Sequence, residues 1–417
     1  MSAIRPPVVI VGGGPAGLAC AIELGRLGVP DVLLLDREEH AGGIPRHCHH
    51  QGFGVRDLRC VMPGPRYARR YVEAARRAGC RIEQQAMATG WSAAGALEVT
   101  SPAGRRTVEA AAVVLATGCR ERPRAARLVP GSRPAGVMTT GMLQQLVEAG
   151  GERLRGRALI VGAEHVSFSA LLTLRQGGAT VAGMITELER QQSLALAGAA
   201  ARARYGTPLW TRTALRAIRG RERVESVELE DLDSGARRAL GCETVVFTAD
   251  WIPDHELAVT AGVELDVLTR GPRVDTALRT SRTGVFAAGN VLHGAEPADV
   301  AALSGRHAAL AVKRWLAEPH AWPHTTVPVA CRVPLGWISP NAVGPGAEAP
   351  PRGRFALRAR VFVRRPSIEI RQDERVLWRG RLARLQPGRS ASLPAAWIAS
   401  VDARGGAIEV GLQARAP

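Results

Sequence analysis

The stretch Val8-Val9-Ile10-Val11-Gly12-Gly13-Gly14-Pro15-Ala16-Gly17-Leu18 decides the fold of this chain. Its four leading apolar residues predict a buried strand, and the residues after the glycines predict a helix. The glycines between them match the G-x-G-x-x-G pattern of a dinucleotide-binding turn. Gly12 permits the tight turn, Gly14 lets the backbone approach a pyrophosphate, and Gly17 lets the helix pack close to the strand.

A second strand, Asp31–Asp36, completes a β-α-β unit. Asp36 ends this strand about twenty residues after the glycines, the position from which a carboxylate binds ribose hydroxyls. The dinucleotide phosphates are expected at the helix amino terminus, where free N–H groups and the helix dipole favour anions. These residues leave open whether the dinucleotide is FAD or NAD.

A second β-α-β pattern places strands at 158–161 and 180–186 around a helix at 167–176. Its turn has Glu164 in place of the second glycine and Ser167 in place of the third. Because Glu164 would crowd and repel a pyrophosphate, we interpret this unit as a dinucleotide fold that has lost its ligand. Glu187 follows the second strand and keeps weak NAD(H) binding open as an alternative.

These patterns predict an α/β protein with two Rossmann-like dinucleotide-binding domains and a small C-terminal β domain. The FAD-binding or NAD-binding first domain is discontinuous and is expected at 1–125 and 250–323, with an NAD(P)-binding-like domain at 126–249. The β domain is expected at 324–417, here called the tail. The tail contains 15 Arg and 6 acidic residues, a net charge of +9, and is a candidate docking surface.

The formal net charge of +17 comes almost entirely from arginine, since Lys313 is the single lysine. No recognition motif accompanies this charge, so we expect no nucleic-acid partner. The chain start lacks signal-peptide features and no apolar run has transmembrane length, which predicts no transmembrane segment and a cytoplasmic location. The 7 cysteines are irregularly spaced, which predicts neither a disulfide framework nor a zinc site.

Two later segments resemble flavoproteins of the glutathione-reductase-like (pyridine nucleotide-disulfide oxidoreductase) superfamily. Leu115-Ala116-Thr117-Gly118 resembles their "ATG" strand end, and Thr283–Asn290 resembles their second FAD motif, which usually ends in an Asp that contacts the flavin ribityl chain. Asn290 departs from this pattern, but its amide still donates and accepts hydrogen bonds. The resemblance implies that the cofactor is FAD.

The same resemblance gives a role to the helix predicted from about Ala298 to Leu316. Its amino terminus would point toward the flavin pyrimidine ring, where the helix dipole stabilises an anionic reduced flavin. A surface helix with Asp299 as a simple cap is the alternative interpretation.

A closer resemblance is to a bacterial branch that includes FAD proteins partnered with glycerol-3-phosphate-dehydrogenase-like subunits and the dinucleotide-binding subunits of opine oxidases. It rests on the segments 42–54, 116–123 and 136–141 and covers about residues 6–320. The resemblance implies a small-molecule substrate and a companion dehydrogenase subunit. The tail has Cys331 as its single cysteine, so we expect no iron–sulfur cluster there.

The loop from Gly42 to Pro65 contains the run His47-Cys48-His49-His50. In the fold that the resemblance implies, this loop lies beside the isoalloxazine ring, so a histidine there could relay the proton that accompanies hydride transfer at N5. We therefore predict His47, Cys48 and His49 as catalytic candidates, and a structural role for the histidines stays open. No redox-active disulfide is expected in this loop, and consecutive residues rarely converge on one metal ion.

The predicted FAD contacts come from both ends of the first domain: Gly12, Gly14, Pro15, Ala16, Gly17, Asp36, Arg37, Gly43, Ile44, Thr117, Gly118, Gly289, Asn290 and Asp299. The function predicted is that of an FAD-dependent oxidoreductase that takes a hydride from a small amine or hydroxy compound or relays its electrons. Two alternatives stay open. One is an NAD(P)H-dependent flavin reductase, and the other is a non-catalytic protein in which FAD is structural and the β domain binds a partner.

Overall fold

The computed structural model describes residues 6–194, 196–323, 325–346 and 348–413. They form two compact units. The first unit contains the described residues of 1–46, 51–119 and 253–417, and the second contains 47–50 and 120–252. The described α-helices are α1 (Pro15–Arg26), α2 (Gly64–Arg77), α3 (Thr140–Gln144), α4 (His165–Gln176), α5 (Ala197–Tyr205), α6 (Glu256–Thr260) and α7 (Ala298–Ala317).

The first unit is built on a five-stranded parallel sheet. Its strands, in spatial order, are Val285–Ala287, Ala112–Leu115, Val8–Val11, Leu33–Leu35 and Arg81–Glu83. Val11 is paired with Leu35 on one side and Leu115 on the other, and Leu115 is paired with Ala287. Because the strands are parallel and in this register, the residues that follow each strand meet at one edge of the sheet.

The first unit also contains antiparallel strands outside this sheet. One three-stranded sheet is formed by Met87–Trp91, Leu97–Ser101 and Gly104–Val108, and a two-stranded one by Gln51–Phe53 and Met62–Pro63. The parallel sheet, α1, α2 and α7 share one large apolar core, in which Ile10, Leu18, Tyr67 and Phe286 are fully buried.

The tail forms its own β structure with a separate apolar core around Phe355, Leu357, Ile370 and Val410. A five-stranded sheet contains Ala342–Val343, Val327–Cys331, Ile408–Leu412, Ser367–Gln372 and Arg375–Arg381. A three-stranded sheet contains Leu335–Ser339, Arg354–Ala359 and Ala391–Pro394, and a short pair contains Val363–Arg364 and Arg384–Leu385.

The second unit repeats the parallel architecture. Its five-stranded parallel sheet contains Val137–Thr139, Thr244–Phe247, Arg157–Val161, Thr180–Ile185 and Leu209–Trp210. Thr213–Arg219, Ser226–Asp231 and Arg237–Gly241 form an antiparallel sheet, and apolar clusters cover the parallel sheet on its two sides. The short strands Cys119–Glu121 and Trp251–Pro253 lie where the chain passes from one unit to the other.

The predicted fold class is confirmed: the chain is mixed α/β with two parallel-sheet, Rossmann-like domains. Several element ends differ from the prediction. The second strand is shorter than Asp31–Asp36 because Asp31 has a positive φ of 49° and the Asp36 carboxylate bonds to neighbouring backbone. The helix predicted at 167–176 begins at His165, and the strand predicted at 158–161 begins at Arg157.

Helices α1 and α7 pack closely through Gly305. A Cβ at this position would lie 1.9 Å from the backbone oxygen of Ala16, so no larger residue fits without moving α1. The contact therefore fixes α7 against the helix that follows the glycine turn.

We predict that Gly305→Ala lowers the free energy of unfolding by about 1–3 kcal/mol, as expected for overpacking against backbone. Urea denaturation followed by circular dichroism measures this change. Gly141→Ala, also in a helix, is the matched control, because its Cβ would find its nearest neighbour at an ordinary 3.5 Å. An unchanged stability of Gly305→Ala would contradict the proposed close contact.

Candidate functional site

The glycine turn has the geometry that a dinucleotide needs. Gly12 has a φ of 110°, and a Cβ there would lie 2.3 Å from the oxygen of Ala116. A Cβ on Gly17 would lie 2.0 Å from the oxygen of Gly12, so the start of α1 packs directly on the turn. At Gly14, by contrast, the nearest atom to an added Cβ would be Gly43 Cα at 4.0 Å. Gly14, the second glycine of the G-x-G-x-x-G pattern, therefore faces open space rather than protein.

The amino terminus of α1 is not capped by a side chain of the described residues. Its N-cap residue is Gly14, Pro15 begins the helix, and the first turn contains no acidic residue. Unpaired N–H groups at a helix start, together with the helix dipole, favour a bound anion. The open space at Gly14 and the uncapped helix fit the pyrophosphate of an FAD molecule.

Asp36 lies directly beside this turn. Its Oδ2 accepts a hydrogen bond from the Gly13 N–H at 2.9 Å, and its Oδ1 accepts one from the Glu38 N–H at 2.8 Å. Burial raises the pKa of Asp36, and the two backbone N–H donors oppose that rise. Asp36, the residue predicted to bind the ribose, thus also holds the turn in place.

The other predicted contacts reach the same region from later parts of the chain. Gly43 has a positive φ of 63°, and a Cβ there would lie 2.8 Å from Gly14 Cα. Gly289 has a φ of 78°, and its added Cβ would lie 2.6 Å from Ala16 Cβ. Thr117 directly follows Ala116 and donates to the Asp254 carbonyl at 2.6 Å. Gly118 follows with a φ of 79°.

Three predicted FAD contacts have other partners in the structure, and a fourth is largely exposed. Arg37 pairs with Asp254 at 3.5 Å, and Ile44 is more than half exposed. Asn290 uses its side chain within its own loop. Asp299, in the first turn of α7, is buried and accepts from the N–H and guanidinium of Arg56 at 2.9 and 3.1 Å. The sequence did not single out Arg56.

In the second unit, the N–H groups at the start of the corresponding helix, α4, are paired with the side chain of the N-cap residue. Glu164 is the N-cap of α4, and its carboxylate accepts from the N–H groups of Ala163 and Ser167. Ser167 Oγ in turn accepts from the Glu164 N–H at 3.2 Å and hydrogen-bonds to Thr248 Oγ1 at 2.6 Å. Burial raises the pKa of Glu164. A carboxylate therefore lies where a pyrophosphate would bind.

The predicted catalytic run belongs to the second unit. Cys48 is buried, and its Sγ donates to Gln144 Oε1 at 3.3 Å. Burial raises the pKa of Cys48 to about 12, which favours the protonated thiol at neutral pH. His49 Nδ1 lies 3.0 Å from Glu148 Oε2, and His47 is buried.

Glu121 is a buried carboxyl that the sequence reasoning missed. Its Oε2 accepts from the Gly141 N–H at 2.7 Å, and its neighbours include Glu164 and Arg127. Burial raises the pKa of Glu121 to about 7. The motif Cys119-Arg120-Glu121-Arg122-Pro123 was visible in the sequence, but nothing in it indicated that this glutamate lies inside the protein.

Within the described parts of the chain, no group of three or more His, Cys, Asp or Glu side chains is arranged to hold a metal ion. Among the same residues, no helix combines the length and the apolar character required to cross a bilayer. The seven cysteines all lie in described segments, and no disulfide joins any two of them.

Comparison with known proteins gives consistent matches. The family described as pyridine nucleotide-disulphide oxidoreductase matches residues 6–305. An opine oxidase subunit of Agrobacterium tumefaciens is 28% identical over 336 residues, covering 73% of this chain and 64% of the relative. The Rhizobium meliloti protein of the same name is 30% identical and covers 73% and 62%. The match thus spans less than two thirds of either relative.

A solved structure shares the fold. Thioredoxin reductase from T. acidophilum superposes with a TM-score of 0.62 at 21% identity, covering 74% of this chain and 98% of that one. At this identity the likeness extends to the fold alone.

We predict that Gly14→Glu binds FAD at least about tenfold more weakly and so retains less of it through purification, because repulsion of about 1.4 kcal/mol reduces affinity tenfold. The space around Gly14 lets the variant fold, so circular dichroism should be unchanged. Glu164→Gly is the matched control and should retain FAD fully. The flavin-to-protein absorbance ratio measures both. Equal FAD content in the two variants would contradict the assignment of the two turns.

We also predict that burial of Glu121 makes stability depend on pH. Its pKa rises on folding from 4.5 to about 7. The folded chain therefore binds this proton more tightly than the unfolded chain does. The stability that the proton contributes is present below pH 4.5 and is lost as the pH rises through 7. Between pH 5 and pH 8, the free energy of unfolding of Glu121→Gln should rise by up to about 3 kcal/mol relative to that of the wild type.

Urea unfolding at pH 5 and pH 8 measures this difference, and the exposed Glu222→Gln variant in the same unit is the control. If Glu121→Gln and the wild type show the same pH dependence, Glu121 does not hold a proton in the folded protein.

Proposed function

Because the chain belongs to the pyridine nucleotide-disulphide oxidoreductase family, whose members are FAD-dependent oxidoreductases, we propose that it is a dehydrogenase or electron-relay subunit. Its proposed substrate is a small amine or hydroxy compound, and its proposed partner is a companion subunit. Bound FAD would supply the chemistry by accepting a hydride at N5. The proposed location is the cytoplasm.

The observation that carries this proposal is the self-capped start of α4. The Glu164 carboxylate occupies the N–H groups that would otherwise bind the pyrophosphate of NAD(P)H. A second carboxyl, Glu121, is buried near it. A helix start whose N–H groups are already paired opposes the binding of a nicotinamide dinucleotide as electron donor. Electrons must then come from another reductant, for which an organic substrate is the simplest source.

The cysteines argue against a disulfide substrate. A redox-active disulfide needs two closely spaced cysteines, whereas Cys48 and Cys60, the two cysteines of the 42–65 loop, lie far apart in sequence. Burial raises the pKa of Cys48 to about 12, that of Cys80 to about 12 and that of Cys242 to about 11. Thiols with such pKa values are poor nucleophiles at neutral pH.

The chain's own residues have defined tasks in this proposal. Gly12, Gly14 and the start of α1 would hold the pyrophosphate, and Asp36 would bind a ribose. In the second unit, Glu121 has a pKa near neutrality and is suited to hold or release a proton. His47, Cys48 and His49 remain the proposed catalytic residues, with the histidines in proton transfer.

The relatives support a companion subunit. Two of the matched proteins are named as opine oxidase subunits, and both are longer than the segment that this chain matches. In this chain the tail takes the form of a β structure rich in exposed arginine, including Arg364, Arg375 and Arg384. An acidic surface on the companion protein would complement it.

An anaerobic titration of the purified protein tests this function through the flavin absorbance near roughly 450 nm. We expect NADH to leave the band unchanged and a small amine or hydroxy compound to bleach it. Rapid bleaching by NADH would instead establish a flavin reductase. A flavin that photoreduces but responds to no substrate would indicate a non-catalytic role, and a protein that takes up no FAD would overturn the proposal.

A further inference from the structure

The segment from Gly289 to Pro297 leads from the parallel sheet into α7, and the Asn290 side chain closes it. Asn290 Nδ2 donates to the Glu296 carbonyl at 3.2 Å, and Asn290 Oδ1 accepts from the Glu296 N–H at 3.0 Å. Both ends of the amide are thus used inside the segment. The position of Asn290 consequently depends on the position of Glu296.

The tail holds Glu296 in place. Arg358 Nη2 donates to Glu296 Oε1 at 3.0 Å and to the Ala295 carbonyl at 3.2 Å. Ser390 Oγ donates to the same carboxylate oxygen and accepts from Arg358 at 3.0 Å. The side chains of Glu296 and Arg358 are 11% and 15% exposed, so the ion pair is largely removed from water.

An aromatic contact lies beside this ion pair. The Trp337 ring stacks on His293 with 4.5 Å between centroids, and the Arg358 guanidinium lies 5.0 Å from the Trp337 centroid. Burial lowers the pKa of His293 to about 4, so its ring is neutral at physiological pH. Trp337 and Arg358 lie on neighbouring strands of the three-stranded tail sheet, and Ser390 directly precedes the third strand.

We infer that this three-stranded sheet of the tail is part of the flavin site, with Arg358 as the positioning residue. Through Glu296 and Asn290, Arg358 fixes the segment 289–297 and with it the first turn of α7. The inference rests on the proposed function and on the flavin contacts predicted at Gly289, Asn290 and the start of α7. The tail would then help to position residues that bind FAD, in addition to binding a companion subunit.

The physical reason is the cost of an unpaired buried charge. Removing the Arg358 guanidinium leaves the Glu296 carboxylate buried without a compensating charge, so we expect the segment to rearrange and hydrate it. A displaced segment moves the contacts at Gly289 and Asn290, which weakens FAD binding. A less well fixed α7 amino terminus also stabilises the anionic reduced flavin less, which lowers the flavin midpoint potential.

The test is to measure FAD affinity and flavin midpoint potential in the full-length protein. Apoprotein is titrated with FAD by flavin fluorescence, and the potential is measured against reference dyes. We expect Arg358→Met to bind FAD at least tenfold more weakly and to have a lower midpoint potential. The FAD affinity and midpoint potential of Arg358→Lys should lie between those of Arg358→Met and the wild type, because lysine keeps the charge and loses the forked hydrogen bonds.

The double variant Arg358→Met with Glu296→Gln removes the charge on both partners, and we expect it to recover most of the FAD affinity. Arg379→Met is the matched control, because Arg379 also pairs with a glutamate in the tail, at 2.7 Å from Glu369, but is mostly exposed. Its FAD affinity and potential should equal those of the wild type. If Arg358→Met fails to fold, the lysine and double variants carry the same test.

The outcomes separate this inference from the proposed function. A wild-type protein that takes up no FAD contradicts the proposed function itself. If the wild type binds FAD and a folded Arg358→Met variant binds it equally well with the same midpoint potential, the inference is wrong while the proposed function stands.

Discussion

The structure of the first unit depends on one constraint, the close approach of four parallel strand ends to the uncapped start of α1. The strands are in register, so the residues after each of them meet at one edge of the sheet. Added side-chain atoms would collide at Gly12, Gly17 and Gly289 but not at Gly14. Close packing surrounds the helix start while one position stays open, and this combination suits a bound pyrophosphate.

The second unit has the same architecture, but the N–H groups at its helix start find their partners within the chain. Its sheet and helix repeat those of the first unit, but the N–H groups at the start of α4 are paired with Glu164. A capped helix start needs no ligand to be stable. The two units therefore share a fold while differing in whether the helix start is available, and fold alone does not give the number of nucleotides bound.

The sequence was informative where function depends on local geometry. Glycine spacing and strand periodicity predicted the first turn, the lost glycines at Glu164 and Ser167, and the span of α7. It was uninformative where contacts join distant parts of the chain. Glu121 approaches Gly141, and Arg358 approaches Glu296, across separations that no local pattern records. The run 47–50 likewise joins the second unit although its neighbours in sequence belong to the first.

The capping of α4 by Glu164 can also be considered as competition. The carboxylate is tethered to the site that a dinucleotide would need, so its effective concentration there is far above that of any free metabolite. A dinucleotide would have to displace it and leave a buried carboxyl group without its hydrogen bonds. One side chain thus both stabilises the helix and competes for the N–H groups that a dinucleotide would need. The second unit therefore pairs its helix start from within the chain, whereas the start of α1 keeps its N–H groups open to a ligand.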